Sequence, residues 1–180
     1  MSITFRSLSS YELEIVKKTL SYWLDIGQLT KFLNDYFLIA GEGKWIELFI
    51  TNQLIVTQIE KKAINPYTIG LGFGEIKENN LHLTLAGASV ISKLTNKIAI
   101  VNSNAEQLFL YMRDILAKSV LTVEESIQIN DKMLVLNETR DFLGIGILKI
   151  PIPNLKKKEN SKKVAIKNII DLGWYLRKGK

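Results

Sequence analysis

Apolar residues near the start of the chain recur every three or four positions, which is the period of one helix face. Ser9 and Glu12 precede this pattern with the spacing of a capping box, in which each side chain bonds the other residue's backbone N–H. We therefore predict an amphipathic helix over residues 10–25, ended by Gly27. The apolar positions that define its buried face are Leu13, Val16, Leu20, Trp23 and Leu24.

The pattern then changes to short apolar runs separated by turn residues, which is typical of β-strands. The runs 35–40, 44–50 and 53–58 predict a three-stranded antiparallel meander, because short turns containing glycine or asparagine separate them. The runs 70–76 and 81–85 flank a polar turn and predict a further hairpin. One helix and these strands are enough for a small α/β domain with an antiparallel sheet.

The second half of the chain is again strand-rich and contains one helical pattern. A stripe of apolar residues predicts a helix over residues 104–116. Pro151 and Pro153 end the strand before them, because proline lacks the N–H that a sheet requires. The runs that predict strands are 98–101, 133–136, 142–148 and 164–166. This arrangement predicts a small β-barrel with one or two helices.

A short polar interval, residues 91–97, separates the two halves. We place the boundary within it and predict two domains, an N-terminal α/β domain of residues 1–93 and a barrel domain of residues 94–180. The expected fold class is α+β. Because the interval is short, we expect the two halves to pack rigidly.

The residue inventory limits the possible chemistry. The chain has no cysteine and one histidine, His82, which excludes disulfides, thiolate sites and multi-histidine zinc sites. The glycines at 70, 72 and 74 resemble a dinucleotide loop, but a hairpin follows them where that fold requires a helix. We predict no catalytic residue, cofactor or metal. With neither a signal sequence nor a long apolar run, we expect a soluble intracellular protein.

Positive charge is concentrated at the C-terminal end. From Lys149 to Lys180 there are ten basic residues and two acidic ones, which gives this segment a net charge of +8 and leaves residues 1–148 at −2. A clustered basic patch is typical of phosphate-binding surfaces. From charge alone, a solubilising tail or a surface for acidic lipid or protein stays open.

Three blocks of sequence resemble the Nip-seven family of ribosome-biogenesis factors. They are NAEQLFLY at 104–111, KMLVLNE at 132–138 with FLGIG at 142–146, and DLGWYLR at 171–177. In the N-terminal half, GLGFG and LHLT, which begin at residues 70 and 81, are similar to a family hairpin. The family glycine that follows the first block is Met112 here.

The resemblance implies an N-terminal α/β domain and a C-terminal PUA-type β-barrel that contacts RNA. Lysines of this half would bind phosphates, and Arg113 and Arg177 would make forked contacts. The DLGWYLR block would form a closing strand. Trp174 and Tyr175 could stack bases there, although aromatic residues in a terminal strand are more often in the core. The predicted RNA-binding residues are Arg113, Lys118, Lys156, Lys157, Lys158, Lys162, Lys163, Arg177 and Lys178.

We therefore expect a non-enzymatic RNA-binding protein that binds pre-ribosomal RNA and assists large-subunit assembly and rRNA processing. Expected partners are RNA and ribosome-assembly or RNA-processing proteins, with no membrane and no DNA. The expected location is the cytoplasm, or the nucleolus in a eukaryote. One alternative is a protein adaptor that uses Trp23, Trp45 or Phe49 on an exposed patch. Another is an RNA-modifying enzyme, for which the N-terminal half is short.

Overall fold

A computed structural model describes residues 4–62 and 66–178 of the chain. The chain divides into two compact units, Met1–Thr95 and Asn96–Lys180, which we call the N-terminal and C-terminal units. This division falls next to the boundary predicted between residues 93 and 94. Each unit is built around its own antiparallel or mixed sheet.

The N-terminal unit packs helices on a five-stranded antiparallel sheet in the order β1-β2-β3-β4-β5. Its elements are β1 (Thr4–Ser7), α1 (Ser10–Leu20), α2 (Ile26–Asp35), β2 (Phe37–Glu42), β3 (Ile46–Thr51), α3 (Gln53–Lys62), β4 (Leu71–Lys77), β5 (Asn80–Leu83) and α4 (Leu85–Ser92). Phe32 and Phe73 stack at the centre of its core with ring centroids 5.4 Å apart.

The capping box at the start of α1 is confirmed. Ser9 Oγ accepts the Glu12 N–H at 3.2 Å, and Glu12 Oε2 accepts the Ser9 N–H at 2.8 Å. The predicted end of this helix is wrong, since α1 stops at Leu20 and Gly27 lies inside α2. The reason is a second capping box, in which the Asp25 side chain accepts the Gln28 N–H and starts a new helix.

The strand predicted over residues 53–58 is wrong, because this segment is the first part of α3. The Asn52 side chain accepts the Leu54 N–H at 2.8 Å and so favours a helix start at this point. Val56 and Ile59 of α3 then pack on a small apolar cluster formed by Ile39, Phe49 and Ile69. On the side away from β2, β3 therefore pairs with β4 and not with residues 53–58.

The predicted β4–β5 hairpin is confirmed, and close packing explains two of the three glycines at 70, 72 and 74. A bulge in β4 lies between Gly72 and Gly74 where they face β3. A side chain at Gly74 would collide with the His82 carbonyl oxygen. A side chain at Gly70 would likewise collide with the Ile50 carbonyl oxygen, whereas nothing lies within 4 Å of a side chain at Gly72. Close packing of the backbone therefore accounts for Gly70 and Gly74.

The C-terminal unit is a curled six-stranded sheet in the order β7-β11-β10-β9-β6-β8, in which only the β6–β9 pair is parallel among the described strands. Its core includes the fully buried Phe109, Met133 and Ile166. Its elements are β6 (Ile98–Val101), α5 (Ser103–Phe109), β7 (Ile115–Leu116), β8 (Val120–Val123), β9 (Lys132–Leu136), β10 (Phe142–Leu148), β11 (Val164–Asp171) and α6 (Gly173–Lys178).

Two predictions fail in this unit. The helix predicted over residues 104–116 ends at Phe109, because Met112 has a left-handed φ of +62° that an α-helix cannot contain. The closing strand predicted over residues 171–177 is mostly the helix α6. Trp174 and Tyr175, expected in the core, are 39% and 51% exposed.

Candidate nucleic-acid interface

Five of the predicted lysines lie on one loop, residues 156–163, which we call the basic loop; they are Lys156, Lys157, Lys158, Lys162 and Lys163. One short 3₁₀ turn, Lys158–Asn160, lies in it and another, Ile152–Asn154, precedes it; the buried Asn160 links the two. Its side chain donates to the Asn154 carbonyl at 3.0 Å, and its carbonyl accepts the Lys163 N–H at 2.8 Å. The loop therefore presents its lysines from a fixed backbone.

Lys118 joins the basic loop through backbone hydrogen bonds. The Lys118 N–H donates to the Ser161 carbonyl at 3.1 Å, and the Ala117 N–H donates to the Lys163 carbonyl at 2.9 Å. The Lys118 side chain is exposed, as are those of all five loop lysines. The fold thus brings together six predicted residues that are separated by up to 45 positions in the chain.

The six lysines differ in how free their charges are. The Lys156 ammonium donates to the carbonyls of Val120 and Leu121, at 3.3 and 3.0 Å. Within the described residues, none of the other five ammonium groups forms an ion pair. These five are the ones available for phosphate, whereas part of the hydrogen-bonding capacity of Lys156 is used inside the unit.

Arg177 was predicted to contact RNA, but its guanidinium is bonded within the C-terminal unit. Its guanidinium donates to both carboxylate oxygens of the fully buried Asp171 at 3.0 Å, and also to the Leu110 carbonyl. A guanidinium held on three oxygens has few donors left for phosphate. Arg177 therefore supports the backbone next to α5. The backbone of Lys178 lies in α6, but its side chain lies outside what the structure describes.

Arg113 is exposed on the loop 110–114, which joins α5 to β7. The Arg113 N–H donates to the Leu108 carbonyl at 3.1 Å, and the Met112 N–H donates to the Phe109 carbonyl at 3.0 Å. Asp114 Oδ1 accepts the Asn168 N–H from β11 at 2.8 Å. Bonds from both sides thus fix the loop that carries Arg113.

Gly173 explains how α6 can lie against this loop. Any side chain at Gly173 would collide with the Leu110 carbonyl oxygen, which is the oxygen that Arg177 also contacts. Asn168 contributes a further bond from its side-chain amide to the Phe109 carbonyl at 2.8 Å. The first and third sequence blocks that resemble the family are therefore packed directly on each other.

A groove of about 300 Å³ lies between α5 and β7, beside Lys118. Its apolar wall includes Ala105, Leu108 and Ile115. Its polar rim includes Asp114 and Lys118. The remaining lining residues are Asn102, Asn104, Leu116 and Ser119. The arrangement offers an apolar surface with a carboxylate and an ammonium group at its border.

Sequence reasoning missed one residue that lines this groove and one that lies on the same loop. Asp114 lines it, and Tyr111 is 73% exposed on the same loop. Both lie within or just after the NAEQLFLY block, so the signal was an aromatic and an acidic residue beside Arg113. The prediction of a helix through residue 116 concealed them, because it assigned these positions to a regular helix face.

The turn between β9 and β10 also supports α5. The Asn137 side chain donates to Glu106 at 3.2 Å, and Glu138 accepts the Ser103 N–H at 3.2 Å. Within the turn, hydrogen bonds from the Thr139 hydroxyl and the Asn137 amide lower the pKa of Asp141. These bonds favour the ionised form of the Asp141 carboxyl and connect it to the other residues of the turn.

Two classes of site find no support in the described residues. No cluster of three or more His, Asp or Glu side chains among them is arranged to hold a metal ion. No helix in the described parts of the chain is long and apolar enough to cross a bilayer.

Known proteins share both halves of this chain. Residues 5–85 match the family described as the NIP7/UPF0113 pre-PUA domain, and residues 97–180 match the UPF0113 PUA domain. A UPF0113 protein from Archaeoglobus fulgidus is 31% identical over 175 residues, which cover 97% of this chain and 95% of the relative. The resemblance seen in the sequence blocks is thereby confirmed.

Solved structures show the same fold. A hypothetical protein from Pyrococcus horikoshii OT3 has a TM-score of 0.61 at 16% identity, and the match covers 93% of this chain and 94% of the other. A conserved PUA domain protein from Thermoplasma acidophilum has a TM-score of 0.60 at 15% identity, covering 94% and 95%. The expected α+β fold with a C-terminal PUA barrel is confirmed, and the chain belongs to the NIP7/UPF0113 family of PUA-domain proteins.

Proposed function

We propose that this chain is a non-enzymatic RNA-binding protein that binds pre-ribosomal RNA through its PUA domain and assists large-subunit assembly and rRNA processing. The observation that carries the proposal is the cluster of exposed lysines formed by Lys118 and the basic loop. Family membership supports a role related to ribosome biogenesis and RNA.

The charge of the two units supports the same conclusion. The N-terminal unit has nine basic and nine acidic residues, whereas the C-terminal unit has fifteen basic and nine acidic residues, so the net charge of +6 belongs to the C-terminal unit. A surface of this kind attracts the phosphate backbone and releases its counterions. RNA bound there would be positioned mainly by phosphate contacts.

The family role also suggests the RNA target, the partners and the location. We propose pre-ribosomal RNA as the target, assembly or processing proteins as partners, and a cytoplasmic or nucleolar location. We propose no catalytic group, because the groove beside Lys118 contains one carboxylate and lacks a nucleophile paired with a base among the described residues. Binding alone would then be the activity.

The test is fluorescence anisotropy with single-stranded and structured ribosomal RNA fragments at several salt concentrations. Lys157, Lys158, Lys162 and Lys163 are changed together to Ala. We expect affinity to fall roughly 100-fold near physiological salt, and the salt slope to fall by about 0.7 for each lost phosphate contact. These four are chosen because their ammonium groups form no ion pair within the described residues.

The control removes three positive charges from the other unit. Lys18, Lys31 and Lys93 are exposed there and carry the same type of charge. Their change to Ala should lower affinity only slightly if the phosphates contact the basic loop, since exposed charges that do not contact the RNA are screened by salt. Equal losses in the two variants would contradict a site on the basic loop, and an absence of RNA binding would remove the proposal itself.

One observation favours a protein adaptor as the second candidate. Of the three aromatics considered for an exposed patch, Trp23 and Phe49 are buried, but Trp45 is 45% exposed. The ammonium groups of Lys44 and Lys77 lie 5.7 and 5.2 Å from its ring centroid. If Trp45→Ala abolished binding to an assembly protein while RNA binding was unchanged, the N-terminal unit would have this adaptor role.

A further inference from the structure

We propose that the RNA makes a second contact on the N-terminal unit, where an unpaired base stacks on Trp45 and a neighbouring phosphate binds Lys44. This inference rests on the proposed function, because it adds a contact to the same RNA. It assigns a nucleic-acid role to the turn between β2 and β3, which lies outside the PUA domain of residues 97–180.

The turn presents Trp45 on a fixed backbone. The Gly43 N–H donates to the Trp45 carbonyl at 3.2 Å, and Glu42 pairs with Ile46 at the adjoining ends of the two strands. The Trp45 side chain is nearly half exposed beside an open depression of about 410 Å³, which it lines together with Lys44. A large aromatic side chain is therefore held at the surface of the unit.

Two ammonium groups lie close to this ring. Those of Lys77 and Lys44 are 5.2 and 5.7 Å from its centroid. Lys77 is ion-paired with Glu75, whereas the ammonium of Lys44 forms no ion pair within the described residues. Glu42, which precedes the turn, is bonded to Arg6, so its charge is compensated. Lys44 is therefore the cation available to a phosphate.

The surroundings of the ring favour RNA over a protein partner. Protein interfaces are depleted of lysine, and the large apolar patches that mark them are contiguous. Here Ile46 is half-buried and Ile76 is buried, so Trp45 is the one large apolar side chain that is exposed among the described residues lining the depression. A single exposed ring beside lysines is typical of proteins that bind single-stranded nucleic acid.

The ring can accept a base although lysines already lie beside it. A cation–π contact at an exposed site changes an equilibrium constant about two- to fivefold. Stacking of a base on an aromatic side chain is worth about 5- to 150-fold, as measured by alanine substitution. A base therefore displaces an ammonium group from the ring at little cost, and the Lys44 ammonium can then bind the phosphate.

Fluorescence quenching tests whether a base reaches the ring. The chain has three tryptophans, of which Trp23 is buried and Trp174 is 39% exposed in the C-terminal unit. In full-length Trp174→Phe, the emission that RNA can quench therefore comes from Trp45. We expect oligouridine to quench this emission with the same midpoint as the binding that anisotropy measures.

The affinity for oligouridine is then compared among Trp45→Ala, Trp45→Phe and Tyr67→Ala. We expect Trp45→Ala to weaken binding about tenfold, and Trp45→Phe to weaken it less because phenylalanine keeps a ring. Tyr67 is the matched control, since it is an exposed aromatic residue of the same unit with no cation–π contact among the described residues. Its change should leave affinity as it was. Lys44→Ala should lower the salt slope by about 0.7, which corresponds to one phosphate contact.

Each outcome decides the inference. If Trp45 stays unquenched in a protein that binds oligouridine, no base reaches the ring and the inference is wrong, even where Trp45→Ala weakens binding indirectly. Equal losses for Trp45→Ala and Tyr67→Ala would also contradict it. If Trp45→Ala binds RNA like the unchanged protein but no longer binds an assembly protein, the turn has the adaptor role instead. If the unchanged chain binds no RNA even at low salt, the proposed function fails as well.

Discussion

Each unit contains an arginine bonded to a buried carboxylate, and the two pairs have different tasks. In the N-terminal unit, Arg6 donates to both oxygens of Glu12, at 2.8 and 2.7 Å, and also to Glu42. In the C-terminal unit, Arg177 donates to both oxygens of Asp171. The first pair joins β1 to the start of α1, and neither element belongs to the candidate site.

The second pair has consequences for the candidate site. Arg177 also donates to the Leu110 carbonyl, and Asp171 also accepts a bond from the Asn168 amide at 3.2 Å. Leu110 begins the loop 110–114, and Asn168 also donates its backbone N–H to Asp114 in that loop. The second pair is therefore connected to the loop that carries Tyr111, Arg113 and Asp114. The comparison shows that the same chemical pair can serve stability in one unit and hold a binding surface in the other.

The largest expected effect comes from breaking the second pair. Asp171→Ala leaves Arg177 and Asn168 without their shared acceptor, and removing one partner of a buried ion pair costs about 3–5 kcal/mol. Because the Arg177 side chain is 30% exposed, we expect about 3 kcal/mol in the free energy of unfolding, measured by urea denaturation.

The same variant tests the link to RNA. Asp171→Ala removes a negative charge, which by itself would strengthen RNA binding, but a loosened loop 110–114 should weaken it. We expect weaker binding at temperatures where the variant is still folded. A variant that loses stability but binds RNA more tightly would show that the pair does not organise the surface.

The first pair makes the N-terminal unit sensitive to acid. The Arg6 guanidinium is the main reason that the pKa of Glu12 is lowered from its ordinary value of 4.5 to about 2. A lowered carboxyl pKa contributes stability above about pH 4.5, and this is lost as the pH falls towards 2. Allowing for a one-third exposed Arg6, we expect a loss of about 1–2 kcal/mol.

Urea denaturation at pH 7, 4 and 2.5 measures this effect, with Glu12→Gln as the comparison. The variant should be less stable at pH 7, and the difference from the unchanged protein should shrink with acid, because the glutamine does not titrate. A difference that stays constant with pH would mean that the Glu12 charge contributes nothing and that only its neutral hydrogen bonds matter.

The smallest expected effect concerns Met112, where the family has glycine. Its φ of +62° is left-handed, and its side chain is 62% exposed. A side chain in the left-handed region costs about 1–2 kcal/mol of stability. Glycine avoids this cost but gives back part of the gain, because it makes the unfolded chain more flexible. Met112→Gly should therefore stabilise the protein by about 0.5 kcal/mol.

Met112→Ala is the matched control, because it removes the exposed side chain but keeps the strained Cβ. Thermal unfolding should show a gain for glycine and none for alanine. Equal gains would assign the effect to the lost methionine side chain. RNA binding by both variants should stay close to that of the unchanged protein, since neither alters a charge.

Local patterns predicted several elements correctly because the signals lie within a few residues. The Ser9–Glu12 capping box, the β4–β5 hairpin and the strands β9 and β10 are of this kind. The helix end at Leu20 and the helix α3 were missed, since a second capping box and the packing of Val56 and Ile59 on the sheet decided them. A helical and a strand pattern are hard to distinguish in so short a segment.

The sequence by itself determined which unit is basic and that the family blocks stand in order along the chain. The tertiary structure decided which charges are free. It placed Lys118 beside the basic loop, paired the Arg177 guanidinium with Asp171, and set Asp114 at a groove. The physical reason is that charge is counted residue by residue, whereas the availability of a charge depends on partners that only folding brings within hydrogen-bonding distance.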